Sequence, residues 1–334
     1  MRRRSHERGD TQRLRLAGLG AAVLGLHLLG WGLFLGFAAR DPALAGLGAL
    51  AYTFGVRHAF DADHIAAIDN TTRKLMQDGK RPVGVGFFFS LGHSTVVLGL
   101  VTALAVAAGP VGGHLPGLQR YGGIVGTSVS GVFLLVIGLL NLLVLLDVLR
   151  VLRHHPQDEA RLEERLLDRG AMSRVFLHRI GGRIDASWKL YPVGVLFGLG
   201  FDTATEIGLL ALAAGVATEH VPLLAVLSLP LLFAAGMSLM DTADGAFMSH
   251  AYGWALSNPA RRVYYNLTVT SLSVVVALAL GAAELLQVAT SSFALDLSKV
   301  GYAVVALFAA TWAASAILWK TSSRFGLAEG RRSA

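Results

Sequence analysis

Eight stretches of this chain are apolar over the length that a bilayer demands, and few architectures satisfy that requirement. A helix needs about 20 mostly apolar residues to cross roughly 30 Å of hydrocarbon. The stretches run near Leu16–Ala38, Ala45–Ile68, Val83–Ala108, Tyr121–Leu149, Tyr191–Val216, Val221–Met248, Asn266–Ala289 and Val300–Trp319. Only 15% of the residues are charged, against about a quarter in soluble domains, so too little charge exists to cover the chain with a water-compatible surface. The expected fold is an all-α membrane protein of about eight transmembrane helices, a single polytopic domain over residues 1–334. The first run follows a basic segment, as a secretory leader would. Its apolar core is longer than the roughly 7–15 residues of such a leader and further spans follow, so it reads as a retained helix.

Lysine and arginine set the orientation. Of 29 such residues, 25 fall in the N-terminal segment, the segment after the second span, the Arg150–Lys189 loop, the loop after the sixth span and the C-terminal tail. The alternate loops hold only Arg40, Arg120 and Lys299, and Arg57 lies inside a span. The positive-inside rule then puts both termini and the loop over 150–189 in the cytoplasm, which agrees with an even number of spans. The net charge of +7 is thus a topology signal, and nucleic acid is not an expected partner. The long loop divides the chain into two four-helix halves. Its Asp158–Arg169 part reads as a short amphipathic helix on the membrane surface, and His154 and His155 read as solvated. With no cysteine in the chain, disulfides, thiolate metal sites and cysteine nucleophiles are excluded.

Ionisable residues inside spans are costly and functional by default, and here they cluster. The second span carries Arg57-His58-Ala59-Phe60-Asp61-Ala62-Asp63-His64-Ile65. On a continuous helix, His58, Asp61 and His64 fall within roughly 120° of one another and Asp63 points away. Two imidazoles with carboxylates form a nitrogen/oxygen ligand set suited to nickel, cobalt, zinc, copper or iron; the alternative is an internal Arg57–Asp61 salt bridge with idle histidines. The third span holds Gly92-His93-Ser94, the fifth Asp202 and Glu206 at i and i+4, and the sixth Asp241 and Asp244 at i and i+3. None could face lipid, so they are expected to line one hydrated interior where glycines let the helices approach closely. His93 reads equally as a hydrogen-bonded core histidine or as a ligand or proton carrier. Glu284 and Asp147, nearer span ends, read as interfacial.

These segments resemble the nickel/cobalt transporter (NiCoT) family. Arg57 to Ile65 reproduces that family's R-H-A-[VF]-D-A-D-H-I signature, and Gly92 to Val97 its G-H-S-[ST]-[VI]-V. Leu199 to Glu206 matches L-G-x-[DE]-T-A-[ST]-E, and Gly236-Met237-Ser238 with Asp241-Thr242-Ala243-Asp244 matches the sixth-helix pattern. The resemblance implies a secondary permease of the bacterial cytoplasmic (inner) membrane that takes up Ni2+ or Co2+ for metalloenzymes, with the metal as substrate and no cofactor. It also implies that His58, Asp63 and His64 form the core of metal recognition, whereas the helix-face argument favours Asp61; both carboxylates stay in the candidate set. His27, in the first span, is the candidate for tuning metal choice. The transport pathway is expected to include His93, Asp202, Glu206, Asp241 and Asp244.

The two halves also echo each other. Phe60-Asp61 with His64-Ile65 parallels Phe201-Asp202 with Glu206-Ile207, and Phe89-x-x-Gly92-His93-Ser94 parallels Phe233-x-x-Gly236-Met237-Ser238. Matching spans are three apart in order and so run in opposite directions, which predicts an inverted repeat relating spans 2–3 to spans 5–6, with substrate near the midplane. An enzyme is not expected: neither an H-E-x-x-H helix nor a set of histidine boxes is present.

Overall fold

The computed structural model describes residues 2–40, 46–80, 82–106, 115–154, 184–199, 206, 209–210, 212–213, 216, 222–256, 259–290, 300–307, 310–311 and 313–314. The regular elements among them are helices: α1 (Arg2–Ala38), α2 (Leu47–His58), α3 (Ala62–Gln77), α4 (Val85–Val106), α5 (Leu115–His154), a 3-10 turn (Ser187–Lys189), α6 (Leu190–Gly198), α7 (Leu223–Leu256) and α8 (Pro259–Thr290). Residues 300–307 are helical as well. The surface part of the central loop, including Asp158–Arg169 and His155, and the fifth-span residue Asp202 lie outside the described residues.

Among the described residues, four stretches are helices long and apolar enough to cross a membrane: Leu14–Ala38, Val85–Val106, Leu223–Gly253 and Thr270–Thr290. In hydrocarbon each backbone amide must be satisfied within its own helix, which is why runs of leucine, alanine and valine become uninterrupted helices here. Leu24, Leu28, Leu29 and Leu35 on α1 and Val132 and Leu139 on α5 point outward, as lipid-facing residues do. The chain is a multi-pass membrane protein.

Helix α7 is the hub and packs on α1, α2, α3 and α4, while α5 pairs with α8 and α4 with α6. Glycines decide how closely they approach. A Cβ at Gly92 would strike Tyr191 O and Val195 N, and one at Gly236 would strike Tyr52 O and Val56 N. Reciprocally, a Cβ at Gly194 would meet Phe89 O and one at Gly55 would meet Phe233 O. The α2–α7 crossing is thus Tyr52-x-x-Gly55-Val56 against Phe233-x-x-Gly236. The α4–α6 crossing is Tyr191-x-x-Gly194-Val195 against Phe89-x-x-Gly92.

Helix α4 runs antiparallel to α7, since Gly86 lies against Asp241 and Gly245 while Ser90 Oγ donates to Ser238 Oγ at 3.1 Å. Helix α3 runs parallel to α7, with His64 beside Asp241 and Asp69 beside Tyr252. At the end of α3, Lys74 Nζ donates to Ile184 O at 2.6 Å and Lys80 Nζ to Asp185 O. The C-terminus of α3 and the N-terminus of α6 therefore share one basic face.

The second span departs from the continuous helix expected for it. Helix α2 ends at His58, Phe60 N–H bonds Arg57 O at 3.0 Å, Asp61 N–H bonds His58 O at 2.9 Å, and α3 begins at Ala62. Asp61 is the extended N-cap of α3, with φ −67° and ψ 141°. The helical segment 300–307 comes up against this break, for a Cβ at Gly301 would collide with Phe60 O. The helix-face argument that set Asp61 apart from Asp63 does not hold across the break. Glu284, near the end of its span, is buried against protein.

Candidate metal centre

The break in the second span turns two motif histidines toward a third. His58 ends α2, His64 lies in the first turn of α3 and His93 sits mid-way along α4. Their rings lie 4.6 Å (His58–His64), 4.7 Å (His58–His93) and 5.0 Å (His64–His93) apart, centroid to centroid. One ligand nitrogen from each falls within 4.8 Å of the others. Glu206 completes the group, its Oε1 being 2.7 Å from His93 Nε2 and 3.8 Å from His58 Nε2. All four side chains are buried.

Carboxylates lie behind two of the rings. His58 Nδ1 lies 2.9 Å from Asp61 Oδ2, and His64 Nδ1 lies 3.3 Å from Asp241 Oδ2. At His64 the contact is a hydrogen bond, and an Nδ1–H held by a carboxylate leaves Nε2 as a lone pair, the arrangement found behind metal-bound imidazoles. His64 Nε2 is buried without a hydrogen-bond partner among the described residues, as a nitrogen awaiting a metal would be. His58 Nε2 and His93 Nε2 are 3.0 Å apart. Two nitrogens bound at 90° to one ion, with bonds of about 2.1 Å, are separated by about 3.0 Å. This donor set fits a borderline divalent ion.

Other candidates sit around this group. Asp63, half-buried in the first turn of α3, lies within electrostatic reach of Asp61 and His93. Asp61 is placed against His58, Oδ2 to Nδ1 at 2.9 Å. Asp244 is one turn beyond Asp241 on α7. His27 does not join the cluster: its Nδ1 lies 2.8 Å from Val23 O and its Nε2 3.2 Å from Tyr52 Oη, beside Trp31. The sequence reading missed Asp69, which is fully buried on α3 just past the expected end of the second span. The Asp69-x-x-x-Arg73 spacing was its available signal, since i and i+4 share a helix face.

Comparison with known proteins agrees with this geometry. The profile of the NicO family, described as high-affinity nickel-transport protein, matches residues 44–318. The chain belongs to the NicO family. Among curated relatives, the nickel transporter NicT of Mycobacterium tuberculosis is 52% identical over 91% of this chain and 88% of its own length. The high-affinity nickel-transport protein NixA of Helicobacter pylori is 45% identical over 90% of this chain and 95% of its own. The cobalt transport protein NhlF of Rhodococcus rhodochrous is 46% identical over 90% and 91%. No solved structure matches this NicO chain. The matched region takes in His58, His64, His93, Glu206 and Asp241 alike.

Proposed function

We propose that this chain is a secondary permease that takes up Ni2+ and/or Co2+ across the cytoplasmic membrane, with His58, His64, His93 and Glu206 as its recognition site. The convergence of three buried imidazole nitrogens within 4.8 Å carries the reading, in a chain whose relatives are named for nickel and cobalt transport. Asp61 and Asp241 orient the rings, and Asp63, Asp202 and Asp244 supply carboxylates along the path. Hydrated metal entering from outside exchanges water for imidazole and carboxylate, and an inside-negative potential favours its passage by roughly 2.3 kcal/mol per charge per 100 mV. His27, through Tyr52 and the α2–α7 crossing, tunes which ion is preferred.

The chain crosses the membrane eight times as one domain, with both termini cytoplasmic, and spans 2–3 and 5–6 form an inverted repeat. The two glycine crossings support the repeat: exchanging Tyr52, Gly55 and Val56 for Tyr191, Gly194 and Val195, and Phe233 and Gly236 for Phe89 and Gly92, turns one crossing into the other. The same exchange pairs the His58–Phe233 ring contact at 5.5 Å with the Phe197–Phe89 contact at 5.1 Å. The antiparallel course of α4 and α7 is the one that such a repeat requires. Rocking of one pair against the other gives alternating access.

The test is uptake of 63Ni2+ and 57Co2+ into cells expressing the chain, beside His58→Ala and His93→Ala variants verified in the membrane. Uptake by the native chain that disappears in both variants is the expected result. Native uptake no greater than that of empty cells would sink the proposal.

A further inference from the structure

A second buried polar group lies between the metal centre and the basic face where α3 ends. Asp69 is five residues, or about 7.5 Å, beyond His64 on α3, and it accepts hydrogen bonds from Tyr252 of α7 and Ser273 of α8. Asp244 on α7 is within electrostatic reach of Asp69, and its Oδ2 is buried with no hydrogen-bond partner among the described residues. Arg73 follows one turn after Asp69 and is 1% exposed. Its Nη2 donates to Asn70 Oδ1 at 2.6 Å, and Asn141 Nδ2 donates to the same oxygen at 2.7 Å. Nε and Nη1 of Arg73 have no hydrogen-bond partner among the described residues. Asp69 and Arg73 interact through space.

A guanidinium keeps its proton in a protein, and burying one without closing its hydrogen bonds is costly. Packing alone would be served better by leucine or methionine at this place. What arginine adds is a fixed positive charge beside Asp69, the carboxylate that, with its neighbour Asp244, a passing divalent ion would otherwise occupy.

We propose that Arg73 is a built-in counter-cation that competes with the transported ion for Asp69, so that an ion leaving His64 passes the Asp69–Asp244 pair without being held. The pair is a low-affinity step on the way out, kept so by Arg73. The inference rests on the metal centre being the transport site.

Full-length chain in lipid nanodiscs, titrated with 63Ni2+ and paired with uptake into cells, tests it. The native chain is expected to hold one ion. Arg73→Gln removes the charge and is expected to hold a second ion while uptake falls about tenfold. Adding Asp69→Asn to Arg73→Gln removes the second ion. Arg73→Lys, which keeps the charge but not the fork, holds one ion and keeps most of the uptake. A single ion bound with unchanged affinity by Arg73→Gln overturns the inference even where uptake is lost, because a merely structural role produces that pattern. Two ions bound by Arg73→Lys overturn it as well, and this arm remains informative if Arg73→Gln does not fold. A native chain that neither binds nor takes up Ni2+ defeats the transport reading itself, and this inference with it.

Discussion

His58 Nε2 at the end of α2 and His93 Nε2 on α4, with all of α3 between them in the chain, stand 3.0 Å apart and buried. Glu206 Oε1 lies 2.7 Å from the same His93 nitrogen, so two imidazole nitrogens and a carboxylate oxygen meet at one point. A hydrogen bond between the two nitrogens uses one N–H, whichever ring carries it, and a metal ion bound by both displaces that proton.

Displacement of that proton has a measurable sign. Ligands must be deprotonated to bind metal, so binding releases protons and weakens as pH falls. Calorimetric titration of Ni2+ in buffers of different ionisation enthalpy is expected to give net proton release, with a larger dissociation constant at pH 6 than at pH 8. Equal affinities at the two pH values, with no buffer dependence, would count against the assignment.

The carboxylates behind the rings act without touching the ion. Asp241→Asn and Asp61→Asn leave the imidazoles in place but loosen their orientation, and each is expected to weaken Ni2+ binding by about 10- to 100-fold. His58→Ala, which removes a donor, should do more. Native affinity in Asp241→Asn would show that the His64–Asp241 contact at 3.3 Å is incidental.

The glycine crossings predict a contrast within one residue type. Gly55→Ala and Gly194→Ala each place a methyl group against a backbone carbonyl and should cost about 1–3 kcal/mol, read as a lower unfolding temperature in detergent. Gly18→Ala and Gly25→Ala meet nothing within 4 Å and should lose no stability. Equal effects at the two kinds of site would contradict the packing described here.

Ser90 and Ser238 join α4 to α7 by a 3.1 Å hydrogen bond, across the boundary between the two proposed repeats. The chain has no native cysteine, so Ser90→Cys with Ser238→Cys introduces a single possible bridge. Oxidation should close it and stop uptake, and reductant should restore transport. Full uptake with the bridge quantitatively formed would exclude rocking at this contact.

Much of the site was legible because its signals are local. The R-H-A-F-D-A-D-H-I run contains His58, Asp61, Asp63 and His64 within seven residues, and ionisable groups inside apolar spans declare themselves against their surroundings. The break at Ala59–Asp61 was not legible, because the local pattern is as compatible with a continuous helix; approach of segment 300–307 to Phe60 is a contact from the far end of the chain. Asp69 escaped notice because it lies one residue past the expected end of a span, where a charge draws no attention. Tyr52-x-x-Gly55-Val56 and Tyr191-x-x-Gly194-Val195 were in plain view, but a repeat in packing residues is easily passed over when the search is for ligands.

The sequence by itself determined that the chain is a helical membrane protein with its polar residues gathered inside, because apolar length and the cost of charge in hydrocarbon are properties of each segment alone. Only the tertiary structure decided which donors meet. His64 and Asp241 are 177 residues apart and His93 and Glu206 are 113 apart. Their contact depends on how closely glycine lets α2, α4, α6 and α7 approach, a property of pairs of helices that no single segment carries.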